Sequence, residues 1–86
     1  MEVTYEYFHN GLPHRDDGPA KIYPDGSEEW YQHGLRHRDD GPAITRRGHR
    51  EWYQYGLRHR DRSPAVKIDG QKSLWFIRGK KVESRW

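Results

Sequence analysis

The sequence His37-Arg38-Asp39-Asp40-Gly41-Pro42-Ala43 decides how this chain folds, because the same seven letters also stand at residues 14–20. A degenerate third copy, HRDRSPA, occupies residues 59–65. We call these segments loops 1, 2 and 3 in chain order. Each loop follows an aromatic pair, a spacer and a glycine, and a fourth aromatic segment at residues 75–79 has no loop after it. The glycines of these segments recur every 22 or 23 residues, at Gly11, Gly34, Gly56 and Gly79. A fixed period in this range is typical of repeat proteins.

The composition describes one small, ordered domain of 86 residues. Hydrophobic residues make up 31% of the chain and charged residues 34%, a balance that limits the size of any core. Four Trp, six Tyr and two Phe recur in register, whereas disordered chains are poor in aromatic residues. We therefore expect the aromatic rings to supply most of the buried surface.

The chain lacks features of secreted and membrane proteins. It has no cysteine, so no disulfide stabilises it and a reducing compartment is compatible. No apolar run approaches the ~20 residues of a membrane helix, and residues 1–5 do not resemble a signal peptide. We expect a cytoplasmic protein, in the host cytoplasm if a phage encodes it, with no membrane partner.

Turn signals dominate the secondary-structure pattern, and no segment shows a sustained helical stripe. Asn10-Gly11 favours a hairpin turn, and Pro24-Asp25-Gly26-Ser27 has the residues of a β-turn. The sequence predicts an all-β fold, an elongated antiparallel sheet of stacked hairpins with about three and a half units and two short strands in each unit. The units are approximately residues 5–27, 28–49 and 50–72, with a cap at 73–86. Strands are expected at residues 3–8, 20–23, 28–32, 43–46, 50–54, 66–68, 73–77 and 81–86.

This pattern resembles the variant MORN-type repeats, in which an aromatic strand, an x-Gly turn and an HR-x-DGPA loop alternate. The resemblance covers roughly residues 5–79, and such repeats are similar to those of small bacterial, bacteriophage and large-virus proteins. It implies an elongated sheet of stacked hairpins that serves as an interaction scaffold. The chain departs from the pattern at Arg62, at Ser63 and in its truncated fourth unit.

The loops contain His and paired Asp residues that could suggest an enzyme or a metal site. Equivalent residues of successive units should lie ~10 Å apart, because each unit adds two strands. His14, His37 and His59 therefore cannot share one metal ion. Asp39 and Asp40 alone offer fewer ligands than a hard cation usually needs. We expect these side chains to satisfy the loop itself, and we expect no catalytic residue, metal, cofactor or small-molecule substrate.

The aromatic pairs are expected to form the core. Adjacent residues of a strand face opposite sides, so Trp30 and Tyr31 cannot share a face. An exposed row of rings would instead mark a partner surface, either for a second copy of the chain or for stacking on bases.

Charge divides the chain into two halves. Residues 1–43 contain four Lys or Arg and nine Asp or Glu, whereas residues 44–86 contain twelve and four. Basic patches that alternate with aromatic residues are typical of nucleic-acid binding. The residues at alternate positions 58, 60 and 62 should share a face if the segment is extended. The predicted partner-binding residues are Arg46, Arg47, His49, Arg50, Arg58, Arg60, Arg62, Lys80 and Lys81.

Two functions remain open at this point. The first is a non-enzymatic binding module, a small phage-type or bacterial factor whose basic half binds nucleic acid, with RNA favoured. The alternative is a protein-binding inhibitor or adaptor that blocks a host defence enzyme or toxin by direct contact. An enzyme, a purely structural oligomer and a merely soluble surface are less favoured. The opposed charges and open sheet edges also predict a homodimer. If the basic face is a bystander, Asp16, Asp17, Asp39 and Asp40 become the better candidate surface.

Overall fold

The computed structural model describes residues 4–83, which form strands and turns and contain no helix. The all-β prediction with antiparallel hairpins is confirmed. The molecule measures 38 × 26 × 18 Å along its principal axes. No helix in the described range is long and apolar enough to span a membrane.

The strands are β1 (Tyr5–Glu6), β2 (Phe8–His9), β3 (Leu12–Pro13), β4 (Lys21–Ile22), β5 (Glu28–Glu29), β6 (Tyr31–Gln32), β7 (Leu35–Arg36), β8 (Ile44–Arg46), β9 (His49–Glu51), β10 (Tyr53–Gln54), β11 (Leu57–Arg58), β12 (Val66–Ile68), β13 (Trp75–Ile77) and β14 (Lys80–Val82).

Six of these strands form one antiparallel sheet in the order β1-β4-β5-β8-β9-β12. Directly paired residues of adjacent strands point to the same face. One row of pairs therefore defines an inner face, which is largely buried and includes Glu29, Ile44, Glu51 and Val66. The next row defines an outer face, formed by Tyr5, Ile22, Glu28, Thr45, Arg50 and Lys67.

The remaining strands form four short hairpins, β2-β3, β6-β7, β10-β11 and β13-β14. Each hairpin turns at an x-Gly pair in which both residues have positive φ, for example 52° at Asn10 and 79° at Gly11. This conformation is the type I′ turn that the Asn-Gly signal predicted. Neighbouring hairpins are joined by a backbone hydrogen bond, as from the Gly34 N–H to the Pro13 carbonyl at 2.8 Å.

The predicted long aromatic strands are each divided in two. Trp30 separates β5 from β6, and Trp52 separates β9 from β10. The Trp30 N–H donates to the Ala43 carbonyl in the sheet at 2.7 Å, whereas its carbonyl accepts from the His37 N–H at 3.1 Å. Each aromatic segment thus leaves the sheet and enters a short hairpin. The prediction of two strands per unit was therefore wrong, because each of the three full units contains four strands: β1 to β4, β5 to β8, and β9 to β12, with β9 beginning one residue before the third unit. Parts of the predicted first and last strands, residue 3 and residues 84–86, lie outside the described residues.

The core is small and partly polar. Ala20, Ala43 and Ala65, the last residue of each loop, are fully buried. Ala43, Ile44 and Tyr53 form a cluster against which Trp30 packs. No large side chain among the described residues is completely buried, as the low hydrophobic content leads one to expect.

Candidate functional site

Two nearly buried glutamates organise the inner face of the sheet. Glu51 accepts hydrogen bonds from the Tyr53 hydroxyl at 2.9 Å and the Arg58 Nε at 2.9 Å, and it pairs with the His49 Nε2 at 2.6 Å. Burial raises the pKa of Glu51, but these hydrogen bonds outweigh that effect and the net pKa lies below its usual range. The carboxylate is therefore a structural anion that the fold keeps charged.

Glu29 repeats this arrangement one unit earlier. It accepts from the Tyr31 hydroxyl at 2.8 Å, from the Tyr23 hydroxyl at 3.2 Å and from the Arg46 Nη2 at 3.2 Å. Its pKa is likewise lowered overall, because the hydrogen bonds outweigh burial. The signal for both clusters is present in the sequence as Glu-Trp-Tyr at 29–31 and 51–53, but the aromatic pair alone does not indicate the role of the glutamate.

The histidines of the loops connect neighbouring units. The His37 Nδ1 accepts a hydrogen bond from the Tyr55 backbone N–H at 3.0 Å, and the His37 Nε2 lies 3.0 Å from Asp39. His14 and His59 make the same bonds to the N–H groups of His33 and Arg78, both at 2.9 Å. Both nitrogens of each ring are thus engaged within the protein, which agrees with the expected structural role of the loops.

The guanidinium of each loop arginine lies over an aromatic ring. The Arg38 guanidinium is 3.8 Å from the centre of the Trp30 ring, donates to the Pro42 carbonyl at 3.2 Å and pairs with Asp40 at 3.1 Å. The guanidinium covers one face of the Trp ring in loops 2 and 3, so this face of Trp30 and of Trp52 is not free to stack on a nucleic-acid base. Within residues 4–83 no three His, Cys, Asp or Glu side chains are grouped as metal ligands.

Three of the nine predicted partner-binding residues are bonded to the inner glutamates. Arg46 contacts Glu29, and His49 and Arg58 contact Glu51. The positive charges of Arg46 and Arg58 are therefore at least partly neutralised inside the protein. Arg58 also differs in direction from Arg60, because Arg58 reaches Glu51 whereas Arg60 lies on Trp52, which follows Glu51 on the opposite side of the strand. The shared face expected for positions 58, 60 and 62 is therefore wrong, because the chain leaves β11 at Arg58 and enters loop 3.

Five of the nine predicted residues are exposed, and their side chains form no hydrogen bond or ion pair with another residue in the described range. They are Arg47, Arg50, Arg62, Lys80 and Lys81. Lys80 and Lys81 lie together on β14, whereas Arg50 lies on the outer face beside Lys67. Lys67 is absent from the predicted site, although its position two residues after Ala65 already indicated a strand residue.

The side chains around the loop arginine are mainly acidic at loop 2 and basic at loop 3. Around Arg38 the equivalent positions are the acids Glu28 and Asp40 and the neutral Thr45. Around Arg60 the same positions are all basic, namely Arg50, Arg62 and Lys67. We call Arg50, Arg60, Arg62 and Lys67 the cationic cluster.

The backbone of loop 3 also differs from that of the other loops. A Cβ atom at Gly41 would lie 2.9 Å from the Arg38 Cζ, so glycine leaves room for the stacked guanidinium. Loop 3 has Ser63 at this position, and the preceding residue, Arg62, has a φ of 62°. Such a conformation is uncommon for a residue other than glycine and is often found at functional sites.

A separate groove lies between loops 1 and 2 and has a volume of about 720 Å³. Its walls carry the four aspartates of the two loops, together with Trp30 and Tyr55. The sequence named these aspartates as the second candidate surface, and the structure brings them together on one groove.

No family model, curated protein sequence or solved structure matches this chain. The similarity to MORN-type repeats therefore remains a resemblance of sequence pattern, and the function is argued from the site.

Proposed function

We propose that this chain is a non-enzymatic binding module whose basic second half binds nucleic acid, with single-stranded RNA favoured. The observation that carries the proposal is the cationic cluster, in which four basic side chains occur at positions that hold one base, two acids and one neutral residue around loop 2. Unneutralised Arg and Lys side chains attract phosphate, and Arg matches its geometry with two parallel hydrogen bonds.

Single strands suit this surface better than a duplex. The molecule is only 38 Å long, and the described residues contain no helix that could enter a major groove. The unpartnered cations are distributed over neighbouring strands and turns, from Arg47 to Lys81, which fits a flexible backbone that adapts to the protein surface. Acids line the other half, so binding should be confined to one side of the molecule.

Fluorescence anisotropy with a labelled 12-nucleotide RNA tests this function. We expect binding at 50 mM salt whose affinity falls steeply with added salt, because each neutralised phosphate contributes about −0.7 to the slope of log K against log salt for a single strand. A charge-reversed Arg62→Glu/Lys80→Glu/Lys81→Glu variant, which changes one residue of the cationic cluster and two exposed lysines of β14, should bind at least tenfold more weakly. Asp16→Asn/Asp39→Asn, which alters the acidic half, should bind no more weakly than the parent protein. Equal binding by the triple variant and the parent would contradict the proposal.

The second candidate is a protein-binding inhibitor or adaptor, and the acidic groove is the observation that favours it. Four aspartates beside two exposed or half-buried rings complement a basic protein surface with an apolar contact. Under this function the Asp16→Asn/Asp39→Asn variant would lose its partner, whereas the basic variant would keep it. The same two variants thus separate the two candidate functions.

A further inference from the structure

Strand register sets the geometry of the cationic cluster. Arg50 on β9 pairs directly with Lys67 on β12, so their side chains project from the same outer face with Cβ atoms about 4.5–5.5 Å apart. Trp52 continues the ladder, since its N–H donates to the Ala65 carbonyl at 2.8 Å. Trp52 therefore faces the same side as Arg50, and Arg60 lies 3.8 Å above the Trp52 ring. These elements place three cations around one point of the outer face.

Loop 3 fixes Arg60 without neutralising it. The Arg60 Nη1 donates to the Pro64 carbonyl at 3.3 Å, and the Arg60 Cζ lies 3.8 Å from the centre of the Trp52 ring. In loops 1 and 2 the equivalent arginines also pair with Asp17 and Asp40. Position 62 of loop 3 is Arg, and the remaining acid of the loop, Asp61, pairs with His59 at 3.2 Å.

The electrostatics agree with this geometry. Burial, and then the neighbouring charge of Arg50, lower the pKa of Arg60. By contrast, the pKa of Arg58 is raised overall, because hydrogen bonding and charge from Glu51 outweigh the effect of burial. Arg60 is thus held in a cationic environment, where an added anion would relieve repulsion between like charges.

Loop 2 provides an internal comparison in the same fold. The pair that corresponds to Arg50 and Lys67 is Glu28 and Thr45, which are also direct partners across two strands. Arg38 covers Trp30 as Arg60 covers Trp52, at the same 3.8 Å. The scaffold is therefore common to both units, and only the charge of the surrounding side chains differs.

We infer that Arg50, Arg60 and Lys67 form a binding site for one phosphate group of the nucleic-acid strand. Arg60 supplies a guanidinium that is held by the Pro64 carbonyl and the Trp52 ring, and Arg50 and Lys67 supply charge from two adjacent strands. This inference rests on the proposed function for the source of the phosphate. The arrangement itself requires only a phosphate-type anion.

The test uses two probes, the 12-nucleotide RNA and inorganic pyrophosphate. The variant Arg50→Glu/Lys67→Thr gives loop 3 the pair that loop 2 already has, so the fold has a precedent for it. We expect at least tenfold weaker RNA binding and a salt slope reduced by about 1 or more. Pyrophosphate should shift the NMR signals of the Trp52 indole N–H and the Arg60 side chain in the parent but not in this variant. Circular dichroism and the melting temperature check that the variant is folded.

Two further variants make the result specific. Lys80→Glu/Lys81→Thr makes the same change of charge elsewhere on the basic half, and the pyrophosphate shift at Trp52 should persist in it. The converse variant, Glu28→Arg/Thr45→Lys, builds the cationic pair beside Arg38 and should produce a new pyrophosphate shift at the Trp30 indole.

The outcomes separate this inference from the proposed function. If RNA binds the parent and the Arg50→Glu/Lys67→Thr variant equally well, the phosphate site is wrong and the RNA-binding function stands. If RNA does not bind but pyrophosphate shifts Trp52 and Arg60, the site stands and RNA binding is wrong. Absence of any pyrophosphate shift at Trp52 and Arg60 would overturn the site.

Discussion

Replacement of Glu51 by Gln should destabilise the fold far more than replacement of Glu28, a half-buried glutamate on the outer face of the sheet. Glu51 is 7% exposed and holds Tyr53, Arg58 and His49 together. Hydrogen bonds to a charged group contribute about 1.5–3 kcal/mol each. Gln keeps the shape and part of the hydrogen bonding, and Arg58 can regain water because its side chain is 41% exposed. We therefore expect Glu51→Gln to lower the free energy of unfolding by about 2–3 kcal/mol.

Urea denaturation followed by Trp fluorescence measures this change, and Glu28→Gln on the outer face is the control, expected within about 0.5 kcal/mol of the parent. The effect should also depend on pH. The folded-state pKa of Glu51 is lowered, so its contribution is fully present above the unfolded value of about 4.3 and is lost as the pH falls through the folded value. The difference between parent and variant should therefore shrink below about pH 4. Equal stability of the two proteins at pH 7, or a difference that does not change with pH, would refute the role assigned to this carboxylate.

Two other predictions concern loop 2 and self-association. Gly41→Ala should lower the free energy of unfolding by about 1–2 kcal/mol, because its Cβ would lie 2.9 Å from the Arg38 Cζ in a guanidinium that is held by Trp30. Ser63→Ala in loop 3 should change it by less than about 0.5 kcal/mol, and equal losses in the two thermal melts would contradict this explanation. The homodimer expected from the opposed charges should appear in sedimentation at micromolar concentration and weaken with salt, and a monomer at every salt concentration would exclude it.

The sequence predicted the local structure well where a single short segment decides it. The x-Gly pairs turn with positive φ at both residues, and Asp25 accepts the Ser27 N–H within the Pro24–Ser27 turn at 2.9 Å. It did not predict the interruption of the strands at Trp30 and Trp52. That interruption arises because the N–H of each Trp bonds to the residue before the next sheet strand, whereas its carbonyl bonds to the histidine of the following loop. These partners lie elsewhere in the chain, so the local sequence does not show them.

The candidate site was predicted in part for the same reason. Charge counting along the chain identified Arg50, Arg60 and Arg62, but it could not distinguish them from Arg46 and Arg58. Arg46 on β8 reaches Glu29 across the pairing of β8 with β5, and Arg58 on β11 reaches Glu51, which lies seven residues earlier on β9. The importance of Lys67 depends on its register opposite Arg50, which a linear sequence does not show.

The hydrogen bonds from backbone N–H groups to His14, His37 and His59 make the molecule a chain of nearest-neighbour links. Each link joins residues only 18 or 19 positions apart. Stability in such an arrangement is close to a sum of terms for adjacent pairs, as in a one-dimensional lattice. One link can therefore open while the others stay in place. The Arg60 N–H donates to the Phe76 carbonyl of β13 at 3.2 Å, so opening of the β13-β14 hairpin can loosen Arg60 while the acidic half stays closed.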